Sequence, residues 1–190
     1  MTSIRILWLL LCLGWIGAEI RLARKTKARQ TDIVHGETRS QTWLWGGALA
    51  SLGLAFSFKQ LAWLPIPIDY LPRQAVALLV FAAGLGLRYW AIKTLGQFFT
   101  THPTIQHRHV LISCGPYRWL RHPAYSGLLL ALAAAGLAMG DGLALFVVTV
   151  PVFLTFNYRI GIEERLLQQK FATEYREYRD STWKLIPWLF

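Results

Sequence analysis

The sequence predicts an all-α, polytopic integral membrane protein with about five transmembrane helices, and three observations carry that prediction. Of its 190 residues 54% are hydrophobic and only 16% charged, with a mean hydropathy of +0.35. The apolar residues fall in long runs rather than in short periodic patches. The cations lie between those runs, as they do when a membrane protein encodes its own orientation. A soluble domain of this size buries only about 70% of its unfolded surface and must keep a polar exterior. These polar residues are too few and too clustered for that, so a soluble globular enzyme and a disordered chain are both excluded.

A span needs about 20 mostly apolar residues. The first candidate covers residues 4–20. Its positive cluster (Arg21, Arg24, Lys25, Lys27 and Arg29) follows the apolar run instead of preceding it, which reads as a retained helix rather than a cleaved signal. The second span covers 43–64 and ends at Pro65-Ile66-Pro67, which cannot continue a helix. The third covers 72–92, with Pro72 suited to a first turn. Residues 124–158 are almost wholly apolar and are divided by Gly140-Asp141-Gly142 into a hairpin. Each leg has about 15 residues, roughly 23 Å, which is marginal for a full crossing.

Counting cations orients the chain. Seventeen of the 20 Lys and Arg lie in 21–39, 88–121 and 159–184, leaving Arg5, Lys59 and Arg73 for the opposite face. The expected topology has the N-terminus outside and the C-terminus in the cytoplasm, in a bacterial cytoplasmic membrane. The net charge of +10 does not point to nucleic acid, because the cations gather on no single face. Cys12 and Cys114 are isolated and suggest no disulfide framework.

This topology places two polar segments on one side. Residues 96–125 hold four of the five histidines (His102, His107, His109 and His122) and three prolines, in a connection far longer than a plain loop needs. Residues 157–190 carry Leu166, Leu167, Phe171, Tyr175 and Tyr178 at near-helical spacing, which fits an amphipathic helix on the membrane or on the first segment.

Two clusters stand out. In Arg121-His122-Pro123-x-Tyr125 the residue before proline is extended, so a helix starts at Pro123 with its free N–H groups at the interface. The same Arg and Tyr are also ordinary interface anchors. In Arg159-x-x-x-Glu163-Glu164 the Arg and first Glu share a helical face. They make either a surface salt bridge or one side of a site. Glu163 and Glu164 point about 100° apart, so at most one faces a site with Arg159. The histidine spacings (five, two and thirteen), with no carboxylate nearby, argue against a metal centre. Gly96, Gly115 and Gly127 are too dispersed for a phosphate-binding loop.

Taken together, His109-Val110-Leu111-Ile112, Gly115-Pro116-Tyr117, Arg121-His122-Pro123-Ala124-Tyr125, the hairpin, Arg159-x-x-x-Glu163-Glu164, and Phe171-x-x-x-Tyr175-x-x-Tyr178 closing on Ile186-Pro187 resemble the isoprenylcysteine carboxyl methyltransferase family. The resemblance covers 96–190, and the N-terminal spans are compatible with it. It implies a single membrane-embedded domain over 1–190, with 1–95 supplying spans and 96–190 forming the cofactor-binding and catalytic half. It further implies S-adenosyl-L-methionine held at the cytoplasmic face, between the loop before the fourth helix and the C-terminal segment. His109, Val110, Leu111, Ile112, Tyr117, His122, Tyr125 and Glu163 would contact that cofactor. Arg159 would meet the acceptor, and Arg159 and Glu163 would be the catalytic pair. The expected partners are membrane lipids and a lipophilic small molecule or prenylated carboxylate, with no nucleic acid.

The chemistry fits an acceptor of either kind. A carboxylate is ionised at neutral pH and needs no base, only an Arg to fix it. A thiol or amine would give Glu163 or His122 a proton to take. Other readings stay open at this level: methyl transfer to another small molecule or lipid, reduction of an unsaturated lipid, or binding without catalysis.

Overall fold

The computed structural model describes residues 2–27, 33–36, 39–100, 104–106 and 110–188. Five helices follow the five apolar runs: α1 (Thr2–Lys27), α2 (Arg39–Leu61), α3 (Tyr70–Leu95), α4 (Pro123–Met139) and α5 (Gly142–Asp180). Ser3–Thr26, Tyr70–Phe98 and Gly142–Asp180 are each long and apolar enough to cross a membrane, whereas α4 is equally apolar but has 17 residues. Leu10, Leu79, Phe146 and Leu154 face outward and are exposed. Only a lipid surround makes such a surface favourable, so this is a multi-pass helical membrane protein.

The fifth helix departs from the sequence expectation. The second leg of the hairpin is not a short, marginal span, and the amphipathic C-terminal segment is not separate from it. An unbroken helical run from Gly142 to Phe171 carries the second leg together with Leu166, Leu167 and Phe171, and Tyr175 and Tyr178 follow a kink within the same 39-residue element. Nothing between Tyr158 and Phe171 stops it, since Ile, Glu, Arg, Leu and Gln sustain a helix well. The regular helix breaks only at Ala172 (φ 41, ψ −103). The residues before that break rise about 45 Å, more than the hydrocarbon core requires.

A short ribbon also appears. β1 (Ile33–Gly36) pairs antiparallel with β2 (Thr104–Gln106), matching Ile33 with Gln106 and Gly36 with Thr104. β-branched residues in both stretches favour the pairing. It joins the connection after α1 to the one after α3, so both lie at the same end of the helices.

The other end is stitched by Asp141. Its side chain caps α5 by accepting from the N–H groups of Leu143 (2.9 Å) and Ala144 (3.0 Å). It also accepts from the Leu64 N–H at 2.8 Å, while Gly142 N–H donates to Leu64 O at 2.7 Å. Gly140, at φ +83, supplies the left-handed residue that ends α4, and its carbonyl accepts from Ile66 N–H at 3.0 Å. The tip of the α4–α5 hairpin is thereby bonded to the connection that follows α2.

Between these ends α3 and α4 cross at Gly84 and Gly127. A Cβ on Gly84 would lie 2.6 Å from Gly127 O and 2.7 Å from Ala131 N, so the backbones touch. α1 is more peripheral. It holds to α3 through Trp8 Nε1, which donates to Gln74 Oε1 at 2.6 Å, and through Trp8 and Trp15, both edge-on to the Phe81 ring.

Candidate active site

The first turn of α4, the middle of α5 and the segment before α4 enclose a cavity of about 230 Å³. Pro123 starts α4 with His122 as its cap residue, which sets His122 and Tyr125 on the inward side. From α5, Arg159 and Glu163 reach the same space one helical turn apart. Arg159 is only 2% exposed and belongs to the buried interior. The Tyr125 side chain interacts with both Arg159 and Glu163, placing a phenol between the cation and the carboxylate.

The walls are divided by character. Leu111, Ile112, Tyr117, Leu166 and Leu167 line the end nearer the loops, and Leu128, Leu132, Val152 and Phe156 line the end between the helices. On α5 the charged Arg159 and Glu163 come between the two, a belt that Tyr125 and His122 join.

A network behind this belt fixes it. Arg121 Nε donates to Glu164 Oε1 at 2.9 Å, and its Nη1 donates to the carbonyls of Arg179 (3.0 Å) and Thr182. His122 Nε2 lies 3.2 Å from that same Glu164 oxygen, while its Nδ1 is 4.0 Å from Glu163 Oε2. The imidazole, 3% exposed, therefore stands between the two carboxylates. Burial would raise the Glu164 carboxyl, but hydrogen bonds and charge from His122 and Arg121 outweigh it and hold it down at about 2.

The C-terminal residues close over this end. Arg121 N–H donates to Trp183 O at 2.8 Å and Trp183 N–H to Trp119 O at 3.0 Å, a strand-like exchange. The Tyr178 hydroxyl donates to Tyr117 O at 2.8 Å, and Ser126 Oγ donates to Leu185 O at 2.6 Å. Tyr175, 1% exposed, fills the space beneath.

Of the residues singled out from sequence, Leu111, Ile112, Tyr117, His122, Tyr125, Arg159 and Glu163 come together on one cavity. Val110 is 54% exposed and does not line it. His109, with His102 and His107, lies outside the described residues. Sequence reasoning missed Glu19 and Arg88. They also line the cavity and form a bidentate pair, 2.7 Å at both Arg88 Nε and Nη2, with Arg88 Nη1 donating to Ala124 O at 3.2 Å. An acidic residue inside an apolar run is their one sequence signal, because a charge at that depth needs a partner. Phe98 and Phe99 line it too and carry no such signal.

Fold and site together define a multi-pass helical membrane protein with a cavity in which charged side chains adjoin an apolar chamber between the helices. Residues 75–169, half of the chain, match the Isoprenylcysteine carboxyl methyltransferase (ICMT) family. The chain belongs to that family. It is 33% identical over 116 residues to a probable protein-S-isoprenylcysteine O-methyltransferase of Oryza sativa, covering 60% of this chain and 61% of that protein. It is 28% identical over 194 residues to methanethiol S-methyltransferase 1 of Bradyrhizobium diazoefficiens, covering 95% of this chain and 65% of the relative. Among solved structures, the eukaryotic intramembrane Ras methyltransferase ICMT superposes with a TM-score of 0.59 at 25% identity, over 82% of this chain and 55% of that one. The match thus spans about three fifths of the plant relative's length.

Proposed function

We propose that this protein transfers a methyl group from S-adenosyl-L-methionine to a lipophilic acceptor, most simply a carboxylate of the isoprenylcysteine type. The observation that carries the reading is the Arg159–Tyr125–Glu163 grouping, set between two apolar stretches of one cavity. Family membership adds to it.

The residues present fit the cofactor. Glu163 offers a carboxylate to an ammonium group, and the apolar Leu111, Ile112, Leu166 and Leu167 offer a surface to a nucleoside ring. When bound, S-adenosylmethionine supplies an electrophilic methyl on a sulfonium, whose bonding pair stays on sulfur as the acceptor's lone pair takes the methyl. The chain's own contribution is positioning and exclusion of water. Arg159, buried and oriented by Tyr125, fixes an ionised carboxylate with two parallel hydrogen bonds and no general base is needed. The closed C-terminal residues keep the belt dry, which strengthens each of those contacts.

A second reading concerns the acceptor atom. The Bradyrhizobium relative is by its name a thiol methyltransferase, and it aligns over 95% of this chain. For a thiol, His122 becomes the group that takes the proton, and the carboxylates on either side of it stabilise the imidazolium that results. The membrane is the bacterial cytoplasmic membrane, with five crossings and the belt at the cytoplasmic face.

The test is calorimetry on the detergent-solubilised protein, titrated with S-adenosylhomocysteine and separately with a reduced nicotinamide cofactor. Binding of the first alone is the expected result. Binding of the second alone would replace methyl transfer with a reductase reading. Radiolabelled S-adenosylmethionine, offered with N-acetyl-S-prenylcysteines and with alkanethiols, then identifies the acceptor atom.

A further inference from the structure

Among the described residues three guanidiniums line the cavity, those of Arg88, Arg121 and Arg159. Two of them are met by carboxylates: Arg121 by Glu164 at 2.9 Å, and Arg88 by Glu19 at 2.7 Å through both Nε and Nη2. Arg88 serves the mouth of α4. Its backbone lies against Gly127, where an added Cβ would be 2.6 Å from Arg88 N, and its Nη1 donates to the carbonyl of Ala124, between Pro123 and Tyr125, at 3.2 Å. That bond ties α3 to the first turn of α4, but it brings a full positive charge to the cavity wall. Glu19 answers the charge, and its Oε1 also accepts from Trp15 Nε1 at 3.2 Å and from the Tyr89 hydroxyl at 3.4 Å. The Glu19 and Arg88 side chains are only 13% and 9% exposed. Such a pair is a poor fastening for α1, because taking two charges out of water offsets much of their attraction. Trp8 and Trp15 already pack α1 on the Phe81 ring. An ionised side chain within a span points instead to function. The family match begins at residue 75, so Arg88 lies inside it and Glu19 outside.

We propose that Glu19 is a specificity-determining residue acting through Arg88: it occupies that guanidinium, so that a carboxylate acceptor seats against Arg159 and not at a second cation of the same cavity. The inference rests on the methyl-transfer reading and deepens it, by naming what holds an anionic acceptor to one pose. Glu19 itself shows that the Nε–Nη2 edge of Arg88 takes a carboxylate in bidentate fashion. With Glu19 neutralised, that edge is offered to the acceptor. A carboxylate held there is not the one Arg159 aligns for transfer, so binding gains while reaction loses.

The experiment compares the wild-type protein with Glu19→Gln, Glu19→Asp and the double variant Glu19→Gln with Arg88→Gln. The probes are N-acetyl-S-farnesylcysteine, an anion, and its methyl ester, which is neutral with the same tail. Binding is read by calorimetry in detergent with S-adenosylhomocysteine present, and transfer by single-turnover labelling at saturating acid. In Glu19→Gln the acid should bind about tenfold more tightly and react about tenfold more slowly, while the affinity of the ester is unchanged. Glu19→Asp, whose shorter arm spoils the bidentate pairing, should show the same changes in smaller degree, and it carries the test where Glu19→Gln does not fold. The double variant should lose the gain in affinity. Acid affinity unchanged in both single variants overturns the proposal, as does a gain shared by the ester or one that survives in the double variant. Weaker binding of both probes would overturn it too, reducing the pair to a fastening for α1. Failure of the methyl-transfer reading looks different: S-adenosylhomocysteine does not bind the wild-type protein.

Discussion

Arg121 and Glu164 meet at 2.9 Å across 43 residues of chain, and the same guanidinium bonds the carbonyls of Arg179 and Thr182. One side chain therefore joins the mouth of α4, the shaft of α5 and the residues that cover the cavity. Arg121→Ala removes all three attachments. Hydrogen bonds to a charged group contribute about 1.5–3 kcal/mol each when partly buried. The expected outcome is a C-terminus cleaved faster by limited proteolysis, with the helical content of the bundle retained by circular dichroism. Unchanged cleavage would show that Tyr178 and the Trp183 exchange suffice alone.

The same contact gives an acid dependence of known sign. Glu164 titrates at about 2 in the folded protein against an ordinary 4.5, so its pairing stabilises the fold above pH 4.5. That contribution fades as pH falls from 4.5 towards 2. Tryptophan fluorescence from Trp183 and Trp188, followed in detergent, should report loosening over that window. Glu164→Gln should flatten the response, since no carboxylate is left there to protonate.

Arg159 and Glu163 separate by readout. Arg159→Lys keeps the charge but loses the planar fork, so the single-turnover methyl-transfer rate should fall while the S-adenosylhomocysteine dissociation constant changes little. Glu163→Gln should weaken cofactor binding by about 2–3 kcal/mol through loss of a charged hydrogen-bond partner. Near-normal values for both variants would reduce the cluster to a structural contact between α4 and α5.

At the α3–α4 crossing, Gly127→Val places a branched side chain against the backbone of Gly84 and Arg88. Overpacking of this kind costs about 1–3 kcal/mol, and more where backbone must move. A lowered thermal midpoint in detergent checks it. Gly86→Ala, where nothing lies within 4 Å, should raise the midpoint slightly, since Ala is the better helix former.

Orientation is testable with reporters. A fusion after Phe190 should report cytoplasm, and one in the 62–69 connection the opposite face. The motive is the distribution of cations, with Lys59 and Arg73 the two that flank that connection.

The five helices are legible in the sequence because apolar length alone separates them, and Gly140-Asp141-Gly142 announces the hairpin. The pattern also brings His122, Tyr125, Arg159 and Glu163 to one end, since each sits within about a turn and a half of a predicted helix mouth. The full extent of α5 is not legible. A change from apolar to amphipathic composition after Asn157 looks like a boundary, yet helix propensity carries straight across it. Nor is the Arg88–Glu19 pair legible as cavity wall. Its partners lie 69 residues apart, and only the packing of α1 on α3 brings them together. The β1–β2 ribbon is hidden for the same reason, being a long-range pairing of strands of four and three residues.

The stitch at Asp141 has a mechanical consequence. It binds the hairpin tip to the stretch after α2, and the glycine contact pins α3 on α4 partway along their length. Helices clamped at one end and pivoted at the middle can part only at the other, like the jaws of tweezers. Any widening needed to load the cavity must fall at its mouth, where Arg121 and the closing segment hold it shut. Amide exchange should accordingly run slow at Asp141 and grow faster towards His122. The opposite gradient would place the moving parts at the hairpin tip.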